Sequence, residues 1–334
     1  MAKVSVREIS RRTGYSPATV SNALNHKKGV SRETADSIIA VAQDLGYQRP
    51  ERLDRIVFVL ARKNGLVVDE SMFHPAVIDG VERQARRYGL QTSYVTLELA
   101  DKKAAAKQVE ELTQDTSGGI VLLGTEMQEE DFRLFDDVTT PFILLDSWSD
   151  EHFFESINIS NEDASYRATK YLISKGHKRI GYLSGSFAIR NFPNRGMGYR
   201  HAMESVGLEA DPAYHVSVGT TLESAYQDML SWLSHSPELP TAFFCDNDVL
   251  AVGAMRALME KGYRVPDDVS FVGFDDLPFA SFANPPLTTI HVPKREFGEL
   301  AVKKLMENIK SPKGYVCKTQ MSTIFVERES VREI

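Results

Sequence analysis

VSVREISRRTGYSPATVSNALN (Val4–Asn25) reads as two short helices joined by a tight turn. Val6, Ile9 and Ser10 share one face of a first helix over about Val6 to Thr13. Gly14 supplies the left-handed backbone that a sharp reversal needs. Ser16–Pro17 places an N-cap before a proline at the first helical position, where the missing N–H costs nothing. The second helix then turns Val20, Ala23 and Leu24 inward and Pro17, Ala18, Ser21 and Asn22 outward. So short a helix is not stable alone. Its small, polar outer face suits entry into a DNA major groove, although an N-terminal hairpin that only packs on a larger body has the same pattern.

Outward from this stretch, Ser31 caps a third helix with an apolar stripe of Ala35, Ile38, Ala42 and Leu45, ended by Gly46. Three helices close a minimal core within residues 1–47. Residues 48–55, QRPERLDR, are polar and charged with one proline, and read as a short linker. From Ile56 apolar runs alternate with amphipathic segments. The expected strands include IVFVLA (56–61), TSYVTL (92–97), GIVLL (119–123), FILLD (142–146), RIGYLS (179–184), AFFC (242–245) and VSFVGF (269–274). Helical patterns lie between them at Pro75–Tyr88, Lys102–Gln114, Asp163–Lys175, Leu222–Ser234 and Asp248–Lys261. Continuous apolar strands separated by helices mean parallel βαβ units. There are enough for two doubly wound sheets, divided near Ile157–Ser160. The fold class is α/β behind a three-helix head.

The charge is unevenly placed. The whole chain of 334 residues carries −7, yet residues 1–53 hold nine Lys/Arg against five Asp/Glu, and the rest holds 30 against 41. A basic head on an acidic body suits a protein that meets phosphate with one end only. A hydrophobic fraction of 42% supplies real cores. Two cysteines, Cys245 and Cys317, imply no disulfide framework and a cytoplasmic setting. The N-terminus lacks the apolar core of a secretory signal, and no run is long enough to span a membrane.

Catalytic signatures are missing. The eight histidines show no HExxH spacing, Gly196-Met-Gly198 lacks the third glycine of a dinucleotide fingerprint, and there is no GKS/T loop or GxSxG elbow. Asp275 and Asp276 are adjacent on a strand end and point in different directions, which disfavours a carboxylate pair. Cys245 reads as a buried free thiol. No cofactor or metal site is expected, and the chain does not read as an enzyme. Several strands end on polar residues, Asp146, Ser184, Asp246–Asn247 and Asp275, where open parallel sheets bind ligands.

The head, EISRRTGYSPATVSNALN followed by GVSRETADSIIAVAQDLGY, resembles the DNA-binding domain of the lactose-repressor (LacI/GalR) family. The body agrees in order and spacing through KGHKRIGYLSG (175–185), NRGMGYRHAM (194–203), CDNDVLAVGAMRALMEKGYRVPDDVSFVGFDD (245–276) and NPPLTTI (284–290). The resemblance covers about Val4 to Arg328. It implies a repressor, a homodimer on a pseudo-palindromic operator, with a body like the periplasmic sugar-binding proteins and a sugar or sugar derivative between two lobes. The chain would cross between lobes near Ile157–Ser160, Pro286–His291 and Lys313–Cys317. The first lobe is then about 56–157 and 291–313, and the second about 158–286 and 317–330, within a body of 56–334.

Carried over by position, Pro17, Ala18 and Asn22 read bases, and Ser5, Ser16, Thr19, Ser21, Asn25 and Ser31 hold phosphates. In the cleft the resemblance implies Arg195, Asp275, Asn247 and Asp146 as polar contacts, Phe73 and His74 from the loop after the first strand, and Trp148 and Phe192 as apolar walls. Thr221 and Val292 occupy cleft positions where relatives often carry an aromatic and a glutamine. The linker departs from the family, whose hinge is some ten residues longer and wedges a leucine into the minor groove. Only Leu53 could serve here. Either the wedge is lost or the first strand begins elsewhere. Two other functions fit the same residues: a ligand-binding protein with degenerate DNA specificity, and a regulator answering to a partner protein.

Overall fold

The computed structural model describes residues 6–24, 30–45 and 53–334, except 69–71, 115–116, 137, 139, 188 and 311–314. The chain divides into two compact units, Met1–Arg52 and Leu53–Ile334.

In the first unit the helices are α1 (Val6–Thr13), α2 (Pro17–Leu24) and α3 (Arg32–Asp44). Ile9, Val20, Ala23, Leu24, Ile38 and Ala42 are buried together, the apolar set expected from helical spacing. Gly14 sits at φ +75°, with no steric cost for the reversal. Ser16 Oγ accepts the Thr19 N–H at 3.1 Å and Ser31 Oγ accepts that of Thr34 at 3.2 Å, so both serines cap helices.

The second unit has two lobes. In chain order the first contributes β1 (Arg55–Arg62), α4 (Phe73–Arg87), β2 (Gln91–Glu98), α5 (Lys102–Gln114), β3 (Gly118–Leu123), β4 (Phe142–Leu145) and β5 (Ser156–Ile159). The second contributes α6 (Asn161–Ser174), β6 (Ile180–Gly185), α7 (Asn191–Glu204), β7 (His215–Val218), α8 (Leu222–Ser234), β8 (Ala242–Cys245), α9 (Asp248–Glu260) and β9 (Ser270–Val272). Then come β10 (Thr289–His291), α10 (Lys294–Lys310), β11 (Lys318–Met321) and β12 (Ile324–Val326). The first sheet has the order β11-β5-β4-β3-β1-β2 and the second β7-β6-β8-β9, parallel throughout. β3 is buried along its whole length, as its unbroken apolar run requires. α4 and α10 lie backbone to backbone because Gly80 and Gly298 face each other's helices. A Cβ on Gly80 would meet Arg295 O at 2.0 Å, and one on Gly298 would meet Val77 O at 2.1 Å.

Two boundaries differ from expectation. Leu53 is not available as a minor-groove wedge: it is buried in the body core with Ile56 and Leu305, its side chain under Gly119. The third passage between lobes lies later than Lys313–Cys317. Lys318–Met321 pairs in parallel with Ser156–Ile159 at the edge of the first sheet, and only then does Ile324–Val326 join β10 in an antiparallel pair. Strands as short as β10, β11 and β12, of three or four residues, carry too few residues for a periodic signal.

Candidate functional site

The outer face of α2 is set by the turn before it. With Val20, Ala23 and Leu24 buried, Ser16 and Pro17 are exposed and Thr19 and Asn22 half-buried. Thr19 Oγ1 lies 2.8 Å from Ser16 Oγ, so these two hydroxyls form one polar group at the start of α2. Ser31 is exposed at the start of α3. Ser5, Asn25, linker residues 48–52 and the side chains of Ala18 and Ser21 lie outside the described residues.

In the body the strand ends meet a cavity of about 280 Å³ between the lobes. Phe73, His74, Asp146, Phe192, Arg195, Asn247 and Asp275 all line it. Trp148 does not. It stands beyond the wall with the Arg190 guanidinium 5.0 Å above its ring, so a position two residues past Asp146 marks the rim of the cleft. Thr221 caps α8, accepting the Ser224 N–H at 3.1 Å, while its neighbours Thr220 and Leu222 line the cavity; Val292 is fully buried in the core. Ser184 is taken by His215 at 2.8 Å and also stays outside.

Arg195 is the polar centre. It is buried on α7, with Nε donating to Asn161 Oδ1 at 2.8 Å, Nη1 to Asp246 O, and Nη2 reaching Asp275 Oδ1 at 3.5 Å. Its guanidinium lies 3.7 Å from the Phe274 ring centroid, a desolvated cation–π contact. Across the cleft, Asp146 accepts from Thr125 Oγ1 at 2.7 Å and from Asn191 Nδ2 at 2.9 Å. Asp146 and Asp275 have φ values of 57° and 105°, backbone conformations that side chains resist and that collect at functional sites. Asn247 Oδ1 caps α9 by accepting the Leu250 N–H at 3.0 Å, which leaves its amide NH₂ as the group able to donate.

Burial governs the charges. It pushes the Asp146 carboxyl up to about 6, against its two donors and the positive Arg195. Burial also raises Asp275, opposed by Arg195 and Lys294. Behind the wall, burial holds Asp246 at about 7 and Asp248 at about 8. His74 is pushed down to about 4 by burial, so its imidazole is neutral, and its Nδ1 has no hydrogen-bond partner among the described residues. The ring packs edge-on against Phe73, with centroids 5.6 Å apart, and this nitrogen is enclosed by the protein, so His74 shapes the cavity wall.

These shifts set a pH dependence. Unfolded, Asp246 and Asp248 ionise near 3.8; folded, they keep their protons to about 7 and about 8. The native state therefore binds more protons over that range, and stability falls as pH rises. His74 works in the opposite direction, but only below its ordinary 6.5. Between pH 6.5 and pH 8 the body is expected to lose about 2 kcal/mol, from about 1.4 kcal/mol per pH unit for each group. Urea midpoints at the two pH values check this, and Asp248→Asn should remove most of the slope.

Two contributors went unread in the sequence. Glu126, fully buried after β3, accepts five backbone N–H groups. Oε2 takes those of Lys63, Asn64 and Gly65 at 2.8, 3.2 and 3.0 Å, and Oε1 those of Val67 and Val68 at 2.9 and 3.1 Å. Burial alone would raise this carboxyl, but the donors hold it below its usual value. It fixes the loop that carries Val67 to the cavity. Asn191 is the other, linking α7 to Asp146. Neither belongs to a motif, because the partners are backbone or come from the opposite lobe.

Residues 5–50 match the family model for bacterial regulatory proteins, lacI family, and residues 169–331 match a periplasmic binding protein-like domain. The HTH-type transcriptional repressor PurR of Haemophilus influenzae is 32% identical over 308 residues, 91% of this chain and 90% of that protein. The chain belongs to the lacI family of bacterial regulatory proteins. The ribose operon repressor of Escherichia coli is 31% identical over 332 residues, covering 97% of this chain and 99% of that one. Among solved structures, a transcriptional regulator CelR–cellobiose complex superposes with a TM-score of 0.74 at 24% identity, covering 98% of this chain and 100% of that one. The lac repressor dimer bound to operator and the anti-inducer ONPF gives 0.73 at 23%, covering 99% and 100%. This lacI-family chain is thus a DNA-binding transcriptional regulator with an effector domain, and the family is not one of enzymes. No described helix is long and apolar enough to cross a membrane.

Proposed function

We propose that this regulator represses transcription as a cytoplasmic homodimer on a pseudo-palindromic operator and is switched by a sugar or sugar derivative in the inter-lobe cleft. The observation that carries the effector assignment is the arrangement at Arg195. A buried guanidinium beside Asp275 and between aromatic rings faces a 280 Å³ cavity. Sugars bring paired hydroxyls for such groups and C–H faces for the rings. A similar structure holds cellobiose, and one relative is named for a ribose operon. Thermal shift across a sugar panel tests it: an occupant at 100 times its Kd adds about 2.7 kcal/mol, and no shift with any sugar would overturn the assignment.

On the DNA side, Pro17, Ala18 and Asn22 read bases, while Ser5, Ser16, Thr19, Ser21, Asn25 and Ser31 hold phosphates. The head spans residues 1–47. With Leu53 packed in the body core, the linker shortens to residues 48–52, and affinity rests on the heads without a leucine wedge. An asparagine can pair with both the amino group and the ring nitrogen of adenine. Changing Asn22 is therefore expected to alter base preference at one position per half-site by about 1–3 kcal/mol. Selection from random duplexes reads this directly; a uniform loss over all sequences would contradict it.

A further inference from the structure

The cleft is spanned next to the cavity by a charged group that takes no part in lining it. Arg190 belongs to the second lobe, one residue before α7, with its side chain 16% exposed. Nη1 donates to Glu129 Oε2 at 2.7 Å and Nη2 to Asp150 Oδ2 at 2.5 Å, while the guanidinium plane covers Trp148. Glu129, Trp148 and Asp150 all belong to the first lobe, on the segments that follow β3 and β4. The acceptor is fixed in advance. Ser149 Oγ donates to Glu129, as do the N–H groups of Asp150 at 3.3 Å and Glu151 at 3.2 Å. Arg190 meets this prepared rim from the opposite lobe through Glu129 and Asp150.

The placement matters as much as the bonds. The next residue, Asn191, bridges to Asp146, and the one after it, Phe192, lines the cavity. A further bridge, Thr220 Oγ1 to Leu66 O at 2.9 Å, is neutral. Closure at Arg190 therefore depends on ion pairs and a stacked ring, and closure at Thr220 on one ordinary hydrogen bond.

We infer that Arg190, gripping Glu129, Asp150 and Trp148 across the cleft, is a positioning residue that holds the lobes closed before any effector arrives. A ligand that bridges both lobes then binds a body already in its competent arrangement, and its apparent affinity scales with the closed fraction. This rests on the two-lobed effector cleft proposed above and adds what sets its closure. Because the grip is electrostatic and at the rim, salt weakens it.

The test needs no effector. The full-length protein, with Cys317→Ser and spin labels at exposed Lys103→Cys and Lys261→Cys, mixed into a large excess of unlabelled protein so that a dimer carries one labelled protomer, reports the inter-lobe distance by pulsed electron resonance. Wild type is expected to give one short distance at low salt and a growing long one at molar salt. Arg190→Ala should raise the open-to-closed ratio about tenfold at low salt and lose the salt response. Arg190→Lys, which keeps a charge but not the fork, should restore part of the closure. Trp148→Ala should open the lobes while the salt response remains. A distance distribution in Arg190→Ala identical to wild type at low salt would overturn the inference. An empty sugar screen alongside a salt-sensitive distance would instead fail the effector assignment alone.

Discussion

Arg195→Ala is expected to abolish effector binding and to cost the body about 3–5 kcal/mol, because it strips the counter-charge from a desolvated group of carboxylates. Asp275 would lose its guanidinium partner, Asp246 O and Asn161 Oδ1 would lose their donor, and the Phe274 ring would face a void. Asp146 and Asp246, for which Arg195 opposes the effect of burial, should rise further. The head packs its own core of Ile9, Val20 and Ile38. Under conditions where the variant body stays folded, operator affinity without effector should therefore change little. Denaturant unfolding followed by titration of an operator duplex, with and without the sugar identified in the screen, separates the two effects. Loss of DNA binding in a folded variant would contradict the role given to Arg195.

Glu126→Gln should be nearly as damaging, for a local reason. The amide keeps one acceptor and turns a donor toward N–H groups that had an oxygen. At Val67 and Val68, or at Lys63, Asn64 and Gly65, donor would then face donor. Buried N–H groups without acceptors cost about 1–3 kcal/mol each. The loop can recover some of that by turning to water, so a loss of about 3 kcal/mol is expected, confined to residues 63–68. Hydrogen exchange should show those amides losing protection while β3 and β4 keep theirs. Effector affinity should fall with them, since Val67 lines the cavity and Leu66 O receives Thr220. Unchanged protection in this loop would show that the carboxylate does not organise it.

The local parts of the fold follow from periodicity. The spacing of Ile9, Val20, Ala23 and Ile38 predicts the head, and the runs at 56–61, 119–123 and 242–245 predict parallel strands, because each carries its burial pattern in its own residues. The resemblance placed Arg195, Asp275, Asn247, Asp146, Phe73, His74 and Phe192 around one cavity. Trp148, Thr221 and Val292 were missed at the level of direction. Proximity along the chain put each near the cleft, but the loop after β4, the cap of α8 and the packing around β10 decide which way a side chain turns. Leu53 is a similar case. An isolated leucine in a polar stretch looks free until the space beneath Gly119 and beside Leu305 is seen to accept it.

By itself the sequence determined the division of labour: a basic three-helix head, and an acidic body of parallel βαβ units whose strand ends carry carboxylates and amides. Those properties are local, fixed by repeat spacing, capping residues and charge counts within short windows. Tertiary structure alone decided how the cleft is held, through Glu126 on five amides, Asn191 on Asp146 and Arg190 on Glu129 and Asp150. Each of these joins segments distant along the chain, and three carboxylates gain their altered acidity only from the burial that such contacts create. Burial and cross-lobe geometry are properties of the packed molecule, and no window of sequence contains them.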